Sequence, residues 1–235
     1  MPTCHSTNEV AREMAQKPDT LEGTVIICED QTKGRGQRGN SWESEPGKNL
    51  TFSILLRPGF LKIQEQFFLN IITSLAVRDS VAHFLSAADV KVKWPNDILI
   101  GTRKATGILI ENGINRNRIE YSVIGVGLNV NQASFITPRA TSLQMESGSE
   151  LDIQAVFERL ISSLEYYYLR LKGGRLRELK AEYLQYLFGF RQKRTYLAEY
   201  RFEGVIEDVT DSGLLVVAGR QGRSQYDLKE IAFIY

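Results

Sequence analysis

The sequence is poor in the residues that build covalent cross-links, metal centres and histidine chemistry. Its 235 residues include two cysteines, Cys4 and Cys28, and two histidines, His5 and His83. Two thiols without ligand-like spacing predict neither a disulfide framework nor a zinc site, and they are typical of a reducing compartment. Two histidines give little support to serine–histidine catalysis or to histidine-rich metal catalysis.

Long apolar runs and a strong net charge are missing as well. No stretch reaches the roughly 20 apolar residues that a membrane span requires, and residues 1–12 lack the basic start and apolar run of a secretory leader. We therefore expect a cytoplasmic protein with no membrane partner. The 29 basic and 28 acidic residues leave a formal net charge of +1. A net charge this small produces no overall electrostatic attraction to nucleic acid, so any electrostatic binding site must be local.

The remaining composition, with 43% hydrophobic and 24% charged residues, is that of an ordinary globular protein, and its length allows one large domain with a small appendage. Helices are predicted after Ser6 or Thr7 up to Pro18 and over residues 64–84, 151–172 and 175–188. Strands are predicted over residues 24–28, 50–57, 90–94, 98–101, 107–111 and 121–130. This order predicts an α+β domain with a mixed β-sheet flanked by helices. Four short strand patterns beyond residue 190 predict a small β-barrel-like domain, so we place the boundary between residues 1–189 and 190–235.

A long glycine-rich loop, residues 31–48, separates the first two predicted strands. Within it, residues 34–39 match the letters of a dinucleotide-binding turn, but no helix pattern follows and no acidic residue stands at the required distance. Three glycines allow backbone N–H groups to surround an anion, and Lys33, Arg35 and Arg38 add positive charge. A loop of this length is typical of a functional segment, although a solvated basic loop would explain the segment alone.

Three further motifs lie at strand ends. In Lys93-Trp94-Pro95-Asn96-Asp97 a carboxylate could hold a divalent cation, an amide could bind a polar ligand and a lysine could bind a phosphate. An ordinary core tryptophan followed by a turn is the alternative. Residues 103–111 begin with two cations and enter an apolar strand through a glycine, where a ligand could approach the backbone. Residues 125–129, Gly-Val-Gly-Leu-Asn, close another strand with two glycines and an amide.

These motifs occur together in one enzyme family. The set comprises Ser6-Thr7-Asn8, Gln31, the loop 34–39, Trp42, residues 93–97, Lys104 to Gly107 and residues 125–129. In this order and spacing the sequence resembles the biotin–protein ligases across residues 6–130, and its predicted C-terminal β-domain resembles theirs. The resemblance implies a class II synthetase-like catalytic domain in residues 1–189 and an SH3-like β-barrel in residues 190–235.

The resemblance also implies a reaction and its residues. Biotin and MgATP would give biotinyl-5′-AMP and pyrophosphate, and biotin would then pass to a lysine of a biotin carboxyl carrier domain in a biotin-dependent carboxylase. The implied biotin contacts are Ser6, Thr7, Asn8, Gln31, Gly34, Arg35, Gly36, Gln37, Lys104 and Gly107. The implied ATP contacts are Arg38, Trp42, Lys93, Asn96, Asp97 and Asn129, with Asp97 also a ligand of Mg²⁺. Lys104 and Arg35 would be catalytic, because they would steer the carboxylate onto the α-phosphate and neutralise the transition state.

Two features of the loop carry expectations of their own. Because water destroys an acyl-adenylate, we expect residues 34–48 to be mobile without ligand and protected with it. Gln37 stands where many family members have arginine, and a neutral amide does not replace that charge in holding the adenylate. The role of this position, and compensation by Arg38, stay open.

The resemblance leaves several alternatives. Some family members carry an N-terminal DNA-binding domain and act as repressors, whereas the Ser-Thr-Asn motif at residue 6 predicts a form without one and without a nucleic acid partner. A homodimer stays open. Lipoate–protein ligases share the general fold and are the nearest rival. A non-enzymatic RNA-binding module could bind RNA through the basic, glycine-rich loop and a small β-barrel, but the composition offers no wider basic face.

Overall fold

Within residues 1–85 and 89–234, which the computed structural model describes, the chain forms five α-helices and thirteen β-strands. The helices are α1 Thr7–Ala15, α2 Phe67–Phe84, α3 Leu143–Ser147, α4 Ile153–Lys172 and α5 Leu176–Tyr186. The strands are β1 Thr3–Cys4, β2 Val25–Cys28, β3 Asp30–Gln31, β4 Leu50–Leu56, β5 Val90–Lys93, β6 Asp97–Ile100, β7 Arg103–Asn115, β8 Arg118–Leu128, β9 Lys193–Leu197, β10 Arg201–Val209, β11 Leu215–Gly219, β12 Gly222–Tyr226 and β13 Ala232–Phe233. None of these helices is both long and apolar enough to cross a membrane. The side chain of Arg38, a predicted ATP contact, lies outside the described residues.

The larger sheet has six strands in the order β2-β4-β8-β7-β6-β5, and each of its pairs is antiparallel. Short connections from β5 through β8 explain this, because hairpins join antiparallel neighbours. At the tip of the β7–β8 hairpin, Arg116 and Asn117 adopt φ of 45° and 62°, as a tight hairpin turn requires. Among the described strands, the short strands β1 and β3 form a parallel pair. The predicted α+β class with helices against the sheet is confirmed, whereas the larger sheet, predicted to be mixed, is antiparallel in all of its described pairs.

The core lies between one face of this sheet and three helices. Helix α2 is apolar on nearly every side, and it is buried accordingly between the sheet and helices α4 and α5. Helix α4 begins at Asp152, whose side chain accepts a hydrogen bond from the backbone N–H of Gln154, and it ends at Gly173. The predicted stop at the glycine pair is therefore confirmed. Helix α1 packs on the opposite face of the sheet, against Leu55 and Val123.

A second, five-stranded sheet follows in the order β12-β11-β10-β9-β13, with antiparallel pairs throughout. The indole Nε1 of Trp94, next to β5, donates to the carbonyl of Gly213 in the β10–β11 turn over 2.8 Å. Phe188, which precedes β9, donates its N–H to the carbonyl of Val92 over 2.7 Å, and its ring packs on Phe233 of β13. Closure of this sheet into a barrel and the boundary at residue 190 stay predictions. The short strands β1, β3 and β13 and the short helix α3 were not predicted from the sequence.

Candidate active site

Strand alternation creates the floor of the site. Along β8 the side chains of Ile124, Val126 and Leu128 enter the core, so Gly125 and Gly127 face the side on which α1 lies. On β7 the same alternation brings Gly107, Leu109 and Glu111 to that face, and Gly107 pairs with Gly127 across the strands. The motifs at residues 103–111 and 125–129 therefore form one surface without side chains at its centre.

Uncharged polar groups occupy one end of this floor. Thr7 donates its backbone N–H to Oε1 of Gln31 over 2.8 Å, and its hydroxyl lies 3.2 Å from the same oxygen. Ser53 Oγ lies 2.8 Å from Thr7 Oγ1 and 2.6 Å from Asn8 Oδ1. Thr7, Asn8 and Ser53 are all buried. The predicted motif Ser6-Thr7-Asn8 and Gln31 thus lie together at this end of the site. Ser53 was not predicted as a site residue.

Arg35 reaches this end of the site from the loop. Its Nη2 lies 3.2 Å from Glu111 Oε1, and its Nη1 lies 3.8 Å from Glu9 Oε1. The other oxygen of Glu111 accepts a hydrogen bond from Asn8 Nδ2 over 2.9 Å. Glu111 therefore joins the loop arginine to the amide on α1. An anionic ligand that binds Arg35 must compete with two carboxylates.

Residues 34–42 fold back over the floor. Trp42 donates its backbone N–H to the carbonyl of Gly34 over 3.0 Å, and Gly36 donates to the carbonyl of Asn40 over 2.7 Å. A short 3₁₀ helix spans Gln37–Gly39. The indole of Trp42 lies on the glycines of the floor, because a Cβ added at Gly127 would lie 2.4 Å from its Cε2 and one at Gly107 would lie 2.8 Å from its Cζ3. Its Nε1 is buried and has no hydrogen-bond partner.

The other end of the floor is charged. Lys104 Nζ lies 2.6 Å from Asp97 Oδ1, and Lys93 Nζ lies 3.9 Å from Asp97 Oδ2. The ammonium of Lys104 also lies 5.6 Å from the centre of the Trp42 ring. The backbone of Lys104 is fixed on both sides, since it donates to the carbonyl of Arg139 and accepts from the N–H of Thr141. Two ammonium groups around one carboxylate leave an excess of positive charge, which suits a phosphate.

The surroundings of Asp97 do not resemble a metal site. Within residues 1–85 and 89–234, no group of three or more His, Cys, Asp or Glu side chains could hold a metal ion. A single carboxylate bonded to two ammonium groups supplies too few oxygen ligands for Mg²⁺. A magnesium role for Asp97 therefore stays a sequence prediction.

Two predicted amide side chains are engaged by backbone groups. Asn96 donates its Nδ2 to the carbonyl of Ile108 over 2.7 Å, which fixes the turn at Pro95 to β7. Asn129 donates its Nδ2 to the carbonyl of Thr141 over 2.9 Å, and its Oδ1 is buried without a partner. Both amides stabilise the strand ends that carry Asp97 and Lys104.

These groups surround a cavity of about 510 Å³. Of the residues predicted for the site, its walls include Ser6, Thr7, Asn8, Gln31, Arg35, Gly36, Gln37, Trp42, Lys93, Asn96, Asp97, Lys104 and Gly107. Gly34 and Asn129 are not on its walls. Gly34 instead lies behind Trp42, where a Cβ would meet the carbonyl oxygen of that residue at 2.8 Å.

The C-terminal sheet contributes a wall that the sequence reading missed. This wall is formed by Leu228, Lys229, Ile231, Ala232 and Phe233. The ring centre of Phe233 lies 5.6 Å from Lys93 Nζ. The missed Glu111 had a signal in the sequence, since it lies four residues after Gly107 on the same strand and so faces the floor. The C-terminal wall had none.

Comparison with known proteins agrees with this arrangement. Residues 1–129 match the model of the biotin/lipoate A/B protein ligase family. The bifunctional ligase/repressor BirA of Bacillus spizizenii is 31% identical over 225 residues, which cover 92% of this chain and 68% of that protein. The biotin–[acetyl-CoA-carboxylase] ligase of Mycobacterium tuberculosis is 32% identical over 222 residues, 92% of this chain and 81% of that protein. A biotin protein ligase from Aquifex aeolicus, solved in complex with biotin and ATP, superposes with a TM-score of 0.82 at 23% identity and covers 100% of this chain and 97% of that one.

The chain belongs to the biotin/lipoate A/B protein ligase family, whose matched region contains every motif of the cavity floor. The structural likeness supports the fold, and the sequence relatives narrow the assignment. Two relatives that match most of the chain are biotin–[acetyl-CoA-carboxylase] ligases, so it groups with the biotin–protein ligases within that family.

Proposed function

We propose that the chain activates biotin with ATP and transfers it to a lysine of a biotin carboxyl carrier domain. One observation carries the proposal: a single cavity joins the uncharged polar side chains of Thr7, Asn8 and Gln31 at one end to the ammonium groups of Lys93 and Lys104 at the other. A neutral ureido group needs paired donors and acceptors, and phosphates need positive charge. The glycine floor between the two ends leaves room for the bond that forms.

In the first step a carboxylate oxygen of biotin attacks the α-phosphorus of ATP, and the bond between that phosphorus and the bridging oxygen of pyrophosphate breaks. Lys104 and Arg35 hold the two anions against each other and neutralise the charge of the five-coordinate transition state. Both leave their carboxylate partners, Asp97 and Glu111, as the phosphate binds. Magnesium is proposed to arrive bound to ATP as part of the substrate.

In the second step the amine of the carrier lysine attacks the carbonyl carbon of biotin, AMP leaves, and the nitrogen loses a proton. The intermediate is a mixed anhydride that water destroys, so residues 34–42 are proposed to remain over the cavity until the carrier arrives. Residues 190–235 are proposed to complete the cavity wall through Phe233 and its neighbours. The proposed partners include no nucleic acid and no membrane, and the proposed location is the cytoplasm.

Pyrophosphate release tests the proposal. We expect the wild-type chain to release pyrophosphate from MgATP only when biotin is present, and Lys104→Ala to lose about 100-fold or more of this rate, because an electrostatic contact to the transition state is removed. Lys91→Ala is the matched control, since Lys91 lies on β5 of the same sheet and is not on the cavity wall. Lipoate replaces biotin in a parallel reaction. Release with lipoate but not biotin would identify a lipoate ligase, and release with neither acid would refute the proposal.

A further inference from the structure

Glu43, the residue after Trp42, makes a contact that the proposed chemistry does not use. Its carboxylate accepts hydrogen bonds from the backbone N–H of Ile136 over 2.8 Å, from the backbone N–H of Thr137 over 2.9 Å and from the hydroxyl of Thr137 over 2.7 Å. The hydroxyl of Thr137 and these two N–H groups hold the pKa of Glu43 below its ordinary value. The carboxylate is therefore ionised near neutral pH, and three donors converge on it from one turn.

A second tie lies beside the first. Gln132 Oε1 accepts a hydrogen bond from the backbone N–H of Glu45 over 2.9 Å and one from Asn49 Nδ2 over 2.6 Å. Residues 43–49 are thus fixed to the segment 132–137 at two places. We call residues 34–48 the arginine–glycine loop and residues 132–141 the return segment.

The far end of the return segment holds the catalytic lysine. The carbonyl of Arg139 accepts from the N–H of Lys104 over 2.7 Å, and the N–H of Thr141 donates to the carbonyl of Lys104 over 2.9 Å. The return segment therefore links Thr137 to the backbone partners of Lys104. Glu43 is joined by a peptide bond to Trp42, whose ring lies on the cavity floor.

We propose that Glu43 is a positioning residue that couples the arginine–glycine loop to the return segment, so that Trp42 and Lys104 take their places together. Loop ordering and lysine placement would then be one event. The kinetic part of this proposal rests on the proposed biotin ligation, whereas the structural part does not.

Hydrogen exchange of the ligand-free protein tests the structural part. In Glu43→Gln an amide replaces one acceptor oxygen with a donor, so at least one of the three bonds is lost. We expect exchange to rise by about threefold to tenfold in both residues 34–42 and residues 132–141. Glu45→Gln is the matched control, because it removes the same charge two residues away while the backbone bond of Glu45 remains. An increase confined to one of the two segments, or no increase, would overturn the coupling.

Kinetics of the full-length enzyme test the consequence. We expect Glu43→Gln to lower kcat/KM for ATP by about tenfold, with Glu45→Gln unchanged. Thr137→Val should reproduce part of the loss, and the double variant Glu43→Gln/Thr137→Val should lose less than the product of the single losses. Multiplicative losses would show that the two residues act separately and would overturn the proposal. A wild-type chain without biotin-dependent turnover would instead refute the ligase assignment, and the exchange result would still decide the coupling.

Discussion

At the scale of single residues, two glycines on β8 divide the cavity floor. A Cβ at Gly125 would lie 2.1 Å from Asn8 Oδ1, whereas a Cβ at Gly127 would lie 2.4 Å from the Trp42 ring. We expect Gly125→Ala to raise the KM for biotin by about tenfold or more, because the added methyl displaces the amide at the polar end. Gly127→Ala should instead raise the KM for ATP, because it lifts the indole from the charged end.

The two alanine variants serve as controls for each other. Both add one methyl group to the same strand, and neither glycine has a backbone conformation that excludes alanine. A general loss of folding would lower the apparent kcat of both variants and leave both KM values unchanged. Initial rates of pyrophosphate release at varied biotin and at varied ATP separate these outcomes, and an equal effect of both variants on both substrates would contradict the division of the floor.

The motifs that form the cavity floor could be recognised in the sequence, because the residues of each motif lie close together along the chain. Gly107 and Lys104 stand within one motif, and the tight spacing of Gly125, Gly127 and Asn129 marks another. The carboxylate partner of Arg35 was not predicted, since Glu111 is 76 residues away and only strand alternation connects it to the floor. Phe233 was beyond sequence reasoning, because β13 has two residues and its position beside Lys93 depends on how the two sheets pack.

At the scale of elements, the arginine–glycine loop has two halves with different restraints. Residues 34–42 are held by backbone hydrogen bonds of their own and by the Trp42 ring, while residues 43–48 are bonded to the return segment. Because the first half covers the reacting groups, we expect biotin with MgATP to slow its hydrogen exchange by about tenfold or more. The second half should change less, since its restraints are already present.

Hydrogen exchange followed by peptide mass spectrometry measures this difference, with biotin alone and MgATP alone as the controls. Protection should be greatest with both substrates, because only the adenylate joins the two ends of the cavity. Equal exchange of residues 34–42 with and without both substrates would contradict the expected ordering of the loop.

At the scale of the whole molecule, the cavity exists only where the two sheets meet, so its shape depends on their contact. Trp94 is central to this contact. It is 3% exposed, lies on the cavity wall and donates its indole N–H to Gly213 across the junction. Surface ion pairs at the same junction, from Lys180 to Asp208 over 3.2 Å and to Asp211 over 3.1 Å, are solvated and contribute at most about 1 kcal/mol each.

We therefore expect Trp94→Phe to destabilise the protein far more than Lys180→Ala. Phenylalanine leaves the carbonyl of Gly213 buried without its donor, which costs about 1–3 kcal/mol, and each kcal/mol lowers the Tm of a chain of this size by about 2–4 °C. Calorimetry should show one transition in both variants if the sheets unfold as a unit, shifted clearly in Trp94→Phe and barely in Lys180→Ala. A separate low-temperature transition in Trp94→Phe would instead show that the C-terminal sheet unfolds independently, and the catalytic cavity would then lose the Phe233 wall before its floor.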